Sequence, residues 1–270
     1  MIRLENVHKK FNAGTLNEVH ALRGVNLEIK EGEFVTVIGT NGSGKSTLLN
    51  AVAGTFIPDS GVIRIAGDDV TGLRDFQRAR YVARVFQDPF KGTSPDMSIA
   101  ENLHMASLRT SPCYPRVGLK RDRIEQYREN IRRLEMQLED RLDNLIGSLS
   151  GGQRQALTLL MAVMGSPKVL LLDEHTAALD PRSAKQVVEL TKRFVARDKL
   201  TTLMVTHSMQ QALELGDRTI MMNKGEIIDD IPFSQKRLST VDDLLERFAE
   251  LRKKERLTPE ILEELRREYV

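Results

Sequence analysis

The sequence contains very little cysteine, since Cys113 is the only one among 270 residues. One thiol excludes an internal disulfide framework and a multi-cysteine metal site, and it favours a reducing compartment. The sequence also lacks a run of about 18 apolar residues and an apolar leader at its N-terminus, so we expect neither a membrane span nor a secretory signal. Any role at a membrane would then depend on a partner protein.

An excess of charge of one sign is missing too. The 40 Lys and Arg residues face 38 Asp and Glu residues, which leaves a formal net charge of +2. Such a chain has no field strong enough to make nucleic acid or an anionic membrane its default partner. The length predicts one large domain with an appendage.

Short β-branched runs alternate with helical patterns along most of the chain, which predicts an α/β protein with a largely parallel sheet. These runs lie at Val25–Ile29, Phe34–Ile38, Val62–Ile65, Val82–Phe86, Val169–Leu172, Thr202–Val205 and Thr219–Met222. The run at 169–172 is apolar at every position, so it predicts a buried central strand. Ligands of open α/β sheets bind beyond the carboxyl ends of such strands.

Two stretches differ from this pattern. Residues 90–149 are polar and helical, with a turn-rich patch at 110–115, and they predict an inserted helical subdomain. We expect one amphipathic helix there to pack inside the subdomain, although a heptad partner on another chain is the alternative. Its apolar stripe consists of Ile124, Tyr127, Ile131, Leu134 and Leu138.

The C-terminal stretch, 235–270, is helical and highly charged. Thr258-Pro259-Glu260 has the features of a helix start. Its nine basic residues are matched by nine acidic ones, so we expect a solvated helical appendage rather than an arm that binds nucleic acid.

A phosphate-binding loop follows the predicted strand Phe34–Ile38. The segment Gly39-Thr40-Asn41-Gly42-Ser43-Gly44-Lys45-Ser46-Thr47 matches the pattern G-x-x-x-x-G-K-S/T and leads into an apolar helix that Gly54 ends. Glycines let backbone N–H groups converge on phosphate oxygens at the positive end of the helix. Lys45 would neutralise the β and γ phosphates, and the Ser46 hydroxyl would coordinate Mg²⁺. The alternative is a glycine-rich turn that merely contains a lysine.

Two adjacent acids, Asp173 and Glu174, come directly after the buried strand at 169–172. We expect Asp173 to hold Mg²⁺ through water and Glu174 to orient and polarise the attacking water. Two acids in an ordinary surface turn are the alternative, but that turn would not need a fully apolar strand leading into it.

A second anion-binding feature lies at Leu149-Ser150-Gly151-Gly152-Gln153, where a serine and two glycines begin a helical run to Met164. One phosphate chain cannot engage two such features on separate subdomains of one monomer. A head-to-tail dimer, in which each copy closes the ATP of the other, resolves this.

Together these segments resemble the nucleotide-binding subunit of an ABC (ATP-binding cassette) transporter, over almost the whole chain up to about Phe233. The Walker A, Walker B and signature sequences of that family match the three segments above. The resemblance further implies that Phe11 stacks on adenine, that Gln87 is the Q-loop residue acting in catalysis and at Mg²⁺, that Asp180 belongs to the D-loop at the nucleotide, and that His207 contacts the γ-phosphate.

The family resemblance implies a P-loop NTPase (RecA-like) core with a mainly parallel sheet, an antiparallel β subdomain and an inserted α-helical subdomain. The implied boundaries are 1–234 for the ABC ATPase domain, about 90–160 for the insert and 235–270 for the appendage. ATP and Mg²⁺ are the implied ligands.

The implied partners are a second ATPase subunit, a transmembrane permease subunit and a separate substrate-binding protein, with the chain at the cytoplasmic face of the membrane and no nucleic acid bound. A groove bordered by 87–102 would receive a helix of the permease, with Phe90, Met97, Ile99 and Leu103 as candidate apolar anchors, although core packing could explain each one individually.

One position departs from the family pattern: His175 stands where most members carry proline. With Ala177-Ala178-Leu179-Asp180-Pro181 it resembles an importer subgroup with amino-acid-type permeases. Three other functions are weighed against transport. A soluble ABC ATPase of DNA repair or translation would carry a long coiled coil or two cassettes, a phosphotransferase would not need 149–153, and a protein with an inactive site would lack some of the catalytic residues.

Overall fold

The computed structural model describes residues 1–109 and 118–253, and within these ranges no helix is both long and apolar enough to cross a bilayer. The chain divides into two compact units. The first comprises 1–78 together with the chain from Thr201 onward, and the second comprises 79–200. The predicted turn-rich patch at 110–115 and the predicted helix start at 258–260 lie outside the described residues.

The strands have the following bounds in chain order: β1 Ile2–Phe11, β2 Val19–Ile29, β3 Phe34–Ile38, β4 Ser60–Ile65, β5 Asp68–Asp69, β6 Val82–Val85, β7 Val169–Asp173, β8 Thr201–Val205, β9 Arg218–Asn223 and β10 Glu226–Ile231. The helices are α1 Lys45–Ala53, α2 Asp75–Arg78, α3 Ile99–Leu108, α4 Arg121–Arg132, α5 Gly151–Met164, α6 Pro181–Asp198, α7 Met209–Glu214, α8 Phe233–Lys236 and α9 Val241–Lys253.

The first unit combines an antiparallel sheet with a parallel one. The antiparallel strands lie in the order β2-β1-β4-β5. In the other sheet β3 pairs in parallel with β8 on one side and β9 on the other, and β10 pairs antiparallel with β9. Every residue of β3 and β8 is buried, as expected for parallel strands covered on both faces. The loops that follow β3 and β8 therefore leave the same edge of the sheet.

The second unit places β6 in parallel with β7, with Val82 opposite Val169 and Val85 opposite Leu172. The first four residues of β7 are buried, so the predicted central strand at 169–172 is confirmed. Helices α5 and α6 pack on each other, and α3 and α4 both contact α5. All seven predicted β runs fall on strands, whereas β1, β5 and β10 were not predicted because charged residues interrupt their apolar alternation.

The predicted amphipathic helix of the insert is shorter than expected. Helix α4 ends at Arg132, and Glu135 and Gln137 both have φ of +56°, a left-handed conformation that no α-helix continues through. Leu134 and Leu138 nevertheless remain buried, at 1% and 0% exposure. The apolar stripe is thus packed inside the second unit, but its last two members lie beyond the helix.

Helix α9 is not a fully solvated appendage. Leu244, Leu245 and Phe248 are buried in one cluster with Ile38 at the end of β3 and Met209 at the start of α7. The exposed acidic residues of α9 occupy its other face, an amphipathic pattern that the predicted charge balance alone did not distinguish from a solvated segment. The described part of 235–270 therefore belongs to the core of the first unit.

Candidate nucleotide site

The phosphate loop lies between the end of β3 at Ile38 and the start of α1 at Lys45. Gly44, the residue that caps α1, has φ of +101°, and a Cβ there would lie 2.6 Å from the carbonyl oxygen of Ala21. Both the conformation and the space thus require glycine at this position. Since the first turn of α1 contains no acidic residue, the positive end of the helix is not neutralised by its own side chains.

Lys45 is folded back over the loop that precedes it. Its side chain is buried at 5% exposure, and its Nζ donates to the carbonyl oxygens of Gly39 at 2.5 Å and Thr40 at 3.0 Å. These bonds hold the ammonium group in place over the loop. A fixed buried cation beside converging backbone N–H groups fits a phosphate ligand.

Ser43 provides an independent test of that fit. Its Oγ is buried and has no hydrogen-bond partner among the residues that the structure describes. Buried hydroxyls are normally hydrogen-bonded, so a buried hydroxyl without a partner in this loop indicates that a ligand oxygen forms the missing bond. The neighbouring Asn41, Gly42 and Ser46 are exposed, and Thr47 is half-buried.

Phe11, the predicted adenine contact, ends β1 and is 37% exposed. Its ring meets that of Phe56 edge to face, with centroids 5.5 Å apart. Lys9 Nζ lies 5.6 Å from the first ring and 5.3 Å from the second, and it pairs with Asp59 at 2.7 Å. An exposed aromatic ring is suited to stacking on a planar ligand. Phe56 was not predicted.

His207 follows β8 and is half-buried. The next residue, Ser208, caps α7 by accepting a bond from Gln211 N at 3.2 Å, and Thr206 Oγ1 accepts from Ser208 N at 3.1 Å. These bonds fix the backbone on both sides of the histidine. Because β8 and β3 are parallel neighbours, His207 leaves the same edge of the sheet as the phosphate loop.

In the second unit, Asp173 ends β7 and is held by a residue that sequence reasoning missed. The guanidinium of Arg84, on β6, contacts the Asp173 carboxylate at 2.5 Å, and both side chains are about 15% exposed. Arg84 also lies over the ring of Phe86, 4.7 Å from its centroid. The one available signal was a charged residue inside a strand whose other members are buried and apolar.

Glu174 has φ of +46°, in the left-handed region that residues other than glycine seldom adopt. Its carbonyl accepts a bond from Ala177 N at 2.9 Å, which closes a turn. That turn ends at Asp180, which caps α6 by accepting from Arg182 N and Ser183 N, both at 3.1 Å. Hydrogen bonds from Ser183 and Arg182 lower the pKa of Asp180, so this carboxylate already has a structural role in the free subunit.

Gln87 is exposed and lies in the loop after β6. The carbonyl of the preceding residue, Phe86, accepts a bond from Gln155 Nε2 of α5 at 3.0 Å. Helix α5 is therefore attached directly to the loop that carries Gln87. Gln155 was not predicted, because its position within α5 shows no relation to the loop in the sequence.

The signature segment 149–153 forms the start of α5. Ser150 and Gln153 make a reciprocal capping box, with Ser150 Oγ accepting from Gln153 N at 3.3 Å and Gln153 Oε1 from Ser150 N at 3.2 Å. Ser150 and Gly151 are exposed, whereas Gly152 is buried. A Cβ on Gly152 would lie 2.6 Å from Ser183 Cβ. One glycine faces outward, and the other permits close contact with α6.

The four predicted permease anchors differ in their exposure. Ile99 and Leu103 are completely buried and belong to the core, so the expectation that they anchor a partner is wrong. Phe90 is 58% exposed, but Arg154 lies 3.8 Å from its ring centroid. Met97 is half-buried and faces a groove.

Each unit thus carries one part of the predicted site. The phosphate loop, Phe11 and His207 lie in the first unit, whereas Gln87, the acids after β7, Asp180 and the signature segment lie in the second. A phosphate loop between a parallel strand and a helix, together with an acid pair at the end of a buried strand, defines the class of protein as a P-loop NTPase.

The model of the ABC transporter family matches residues 22–177, more than half of the chain. The tyrosine transport ATP-binding protein of Clostridioides difficile (strain R20291) is 42% identical over 253 residues, covering 92% of this chain and 98% of that protein. A probable sulfate/thiosulfate import ATP-binding protein of Chlorella vulgaris is 37% identical, covering 84% of this chain and 89% of the relative.

Solved structures agree. A dimeric post-hydrolysis state of the ATP-binding cassette MJ0796 bound to ADP and Pi matches with a TM-score of 0.74 and 30% identity over 86% of this chain and 99% of that one. A cassette structure of MJ1267 matches with a TM-score of 0.77 and 25% identity over 93% of this chain and 98% of that one. The chain belongs to the ABC transporter family: it is a P-loop NTPase that binds nucleotide and hydrolyses ATP.

Proposed function

We propose that this ATPase powers a membrane importer of small organic solutes, with amino acids as the solute class. The observation that carries the transport role is a groove of about 570 Å³ in the second unit, whose wall includes Phe86, the residue before Gln87. The amino-acid class is supported by the relative named for tyrosine transport, at 42% identity over nearly its whole length. Other relatives are named for import of sulfate, polyamines or sugars at lower identity.

The phosphate loop is proposed to bind ATP through its backbone N–H groups and Lys45. Ser46, Asp173 and Gln87 are the proposed ligands of Mg²⁺, directly or through water. When bound, the ion neutralises charge on the β and γ phosphates. The chain contributes oxygen donors, which are the donors that Mg²⁺ prefers.

Glu174 is the proposed general base. Its carboxylate would accept a proton from the attacking water, while His207 donates a hydrogen bond to the γ-phosphate and fixes its orientation. Phe11 is proposed to stack on the adenine ring, which fits its exposed position at the end of β1. In this proposal residues of the first unit bind the nucleotide, and a residue of the second unit is the general base.

A second copy of the subunit is proposed to complete each site. Ser150 and Gly151 are exposed at the positive end of the 14-residue helix α5, where they are available to a phosphate on another molecule. Gln153 and Gly152 complete this segment, and Asp180 lies in the neighbouring turn. The dimeric MJ0796 cassettes support this arrangement.

The groove in the second unit has the chemistry to receive an apolar segment that carries an acid. Lys91 and Arg109 contribute positive charge to its wall, and none of the described residues that line it is acidic. Met97 and Met105 supply adaptable apolar surface. We therefore propose that a cytoplasmic helix of the permease binds here and that its carboxylate faces this basic wall.

The proposed location follows from that partner: the subunit lies at the cytoplasmic face of the membrane, held there by the permease. A separate substrate-binding protein would deliver the solute. No nucleic acid takes part in this proposal, because the chain has a formal net charge of only +2 and no basic arm in its described part.

The experiment that tests the transport role compares two exposed apolar residues. Met105 is 58% exposed in the groove, and Phe76 is 72% exposed on α2 of the first unit. ATPase activity is measured for Met105→Glu and Phe76→Glu, alone and with the permease that copurifies from native membranes.

We expect Met105→Glu to keep its basal ATPase activity and to lose copurification and permease-stimulated turnover, since the new carboxylate would be buried at an apolar contact. Phe76→Glu should keep all three. Full stimulation of Met105→Glu would place the permease contact elsewhere. Absence of any membrane protein from the wild-type purification would contradict the transport role.

A further inference from the structure

The residue after the proposed base is the feature that the function above leaves unexplained. His175 has no exposed surface, although it lies in the turn between β7 and α6 and is flanked by the half-buried Glu174. Its Nε2 lies 3.0 Å from Oγ1 of Thr191, a buried residue in the middle of α6. A polar side chain therefore extends into α6 from the turn at 173–180, which is called the catalytic turn below.

The direction of this hydrogen bond follows from the partner's own bonding. Thr191 Oγ1 donates to the carbonyl oxygen of Val187 at 2.9 Å, which uses its only proton. The hydroxyl oxygen must then accept from His175, so Nε2 carries the imidazole proton. His175 Nδ1 is buried and has no hydrogen-bond partner within the part of the chain that the structure describes.

The backbone beside this bond is in an unfavourable conformation. Glu174 has φ of +46°, and a glutamate holds such a conformation only when its surroundings enforce it. The bond from His175 to Thr191 is a restraint that the structure places directly beside this residue.

We propose that His175 is a positioning residue for Glu174: its hydrogen bond to Thr191 attaches the start of the catalytic turn to α6, as the Asp180 cap attaches its end. The inference rests on the proposed role of Glu174 as the base. Both ends of the turn are thereby fixed to one helix, and the orientation of the Glu174 carboxylate depends on that helix.

The bond is best broken from the helix side, with Thr191→Val, because valine keeps the shape of threonine and removes the hydroxyl. Thr219→Val is the matched control: Thr219 is also fully buried, and its Oγ1 bonds to the carbonyl oxygen of Ala212 at 3.2 Å, but it lies in β9 of the first unit. Thr191→Ser restores the hydroxyl without the methyl group. Unfolding stability and nucleotide affinity are measured for all three variants.

We expect kcat of Thr191→Val to fall roughly ten-fold to a hundred-fold, the loss that a small misplacement of a reacting group produces, with KM for ATP unchanged. Thr219→Val should lose similar stability and keep its kcat, and Thr191→Ser should recover most of the wild-type rate. A kcat for Thr191→Val equal to that of Thr219→Val would overturn the proposal.

A double-variant cycle separates this inference from the proposed base itself. If His175 acts through Glu174, Thr191→Val has no further effect on the residual rate in the Glu174→Gln background, since residues that act as a unit are not additive. An additional ten-fold loss would show an independent role and contradict the inference. Wild-type turnover of Glu174→Gln alone would instead refute the base.

The protonation of the ring gives a readout that does not depend on activity. In histidine-labelled protein, ¹⁵N NMR distinguishes a protonated ring nitrogen from a bare one, and His175→Gln assigns the resonances. We expect Nε2 protonated and Nδ1 bare in the free subunit. A ring protonated at Nδ1 and bare at Nε2 would mean that His175 does not donate to Thr191, and the inference would fail.

Discussion

The phosphate loop at 39–47 and the catalytic turn at 173–180 are stabilised in different ways. In the loop, the side chain of Lys45 bonds to the carbonyls of Gly39 and Thr40 within the same nine residues, and one backbone bond comes from Gly225. The turn is stabilised by side chains distant in sequence: Arg84 lies 89 positions from Asp173, and Thr191 lies 16 positions from His175. A local sequence pattern can therefore predict the phosphate loop. In the turn it predicts the acidic residues, but not the distant side chains that hold them.

The largest expected effect separates hydrolysis from binding. Glu174→Gln keeps the shape of the side chain and removes the charge that accepts a proton, so turnover should fall by about 10² to 10⁴, or roughly 3 to 5 kcal/mol of barrier. Phosphate release under saturating Mg-ATP measures it. Glu189→Gln, on the exposed face of α6, is the control and should be unaffected. Nearly unchanged turnover of Glu174→Gln would refute the claim that the turn supplies the base while the loop binds the nucleotide.

The next effect concerns affinity rather than rate. Lys45→Ala removes a buried ammonium group that faces the proposed phosphates, and a charge-assisted hydrogen bond contributes about 1.5 to 3 kcal/mol, so ATP affinity should fall roughly ten-fold to a hundred-fold. Equilibrium binding of a fluorescent ATP analogue measures it, with the exposed Lys192→Ala as control. Equal dissociation constants for Lys45→Ala and the wild type would show that the loop does not hold the phosphates.

The phosphate loop, the acids after β7 and the signature segment could be predicted from the sequence for a physical reason. The loop, the strand β7 and the signature segment depend on glycine conformation, apolar runs and helix starts, and each of those signals lies within about ten residues of the site it marks. Arg84, Gln155 and the bond between His175 and Thr191 depend on which elements pack together. That packing is a property of the fold, and no spacing in the chain reveals it.

The helix bounds show the same limit. The apolar stripe that predicted α4 was right about burial, but the left-handed residues Glu135 and Gln137 end the regular structure before the stripe does. Likewise, the charge balance of 235–270 predicted a solvated appendage, whereas the apolar face of α9 is buried against Ile38 and Met209. Apolar periodicity predicts which residues are buried better than it predicts where a helix ends.

Substitution of the two signature glycines, Gly151 and Gly152, should have a smaller effect, on the stability of the monomer. A Cβ at Gly152 would lie 2.6 Å from Ser183 Cβ, whereas one at Gly151 would meet only Leu179 Cδ2, at 3.5 Å. Gly152→Ala should destabilise the monomer by about 1 to 3 kcal/mol through overpacking, and Gly151→Ala should be nearly neutral. Urea unfolding of the two variants measures the difference, and equal midpoints would contradict the packing of α5 on α6.

The same pair distinguishes folding from assembly. In the Glu174→Gln background, Gly151→Phe should abolish the ATP-dependent dimer while leaving ATP binding by the monomer intact, because Gly151 faces outward. Light scattering with Mg-ATP measures the mass. Persistence of the dimer would mean that the signature segment does not meet a second copy.

The smallest expected effect concerns Arg84. Its pair with Asp173 is mostly buried, so Arg84→Met should lower the free energy of unfolding of the nucleotide-free protein by about 1 to 2 kcal/mol, between the values for surface and fully buried pairs. Because the carboxylate then lacks a cation, Mg-ATP should stabilise this variant more than the wild type. Thermal unfolding with and without Mg-ATP measures both, with the surface pair variant Arg132→Met as control. Equal ligand-induced shifts would show that Arg84 and Mg²⁺ do not share Asp173.

The most direct test of the central claim, that the loop binds the nucleotide and the turn hydrolyses it, is to identify the nucleotide that each protein retains. Wild type, Lys45→Ala and Glu174→Gln are incubated with Mg-ATP, passed through a sizing column, and the bound nucleotide is determined in each fraction. We expect intact ATP in a dimer of Glu174→Gln, no retained nucleotide on Lys45→Ala, and ADP or none on the wild type. ADP retained by Glu174→Gln, or ATP retained by Lys45→Ala, would contradict the account.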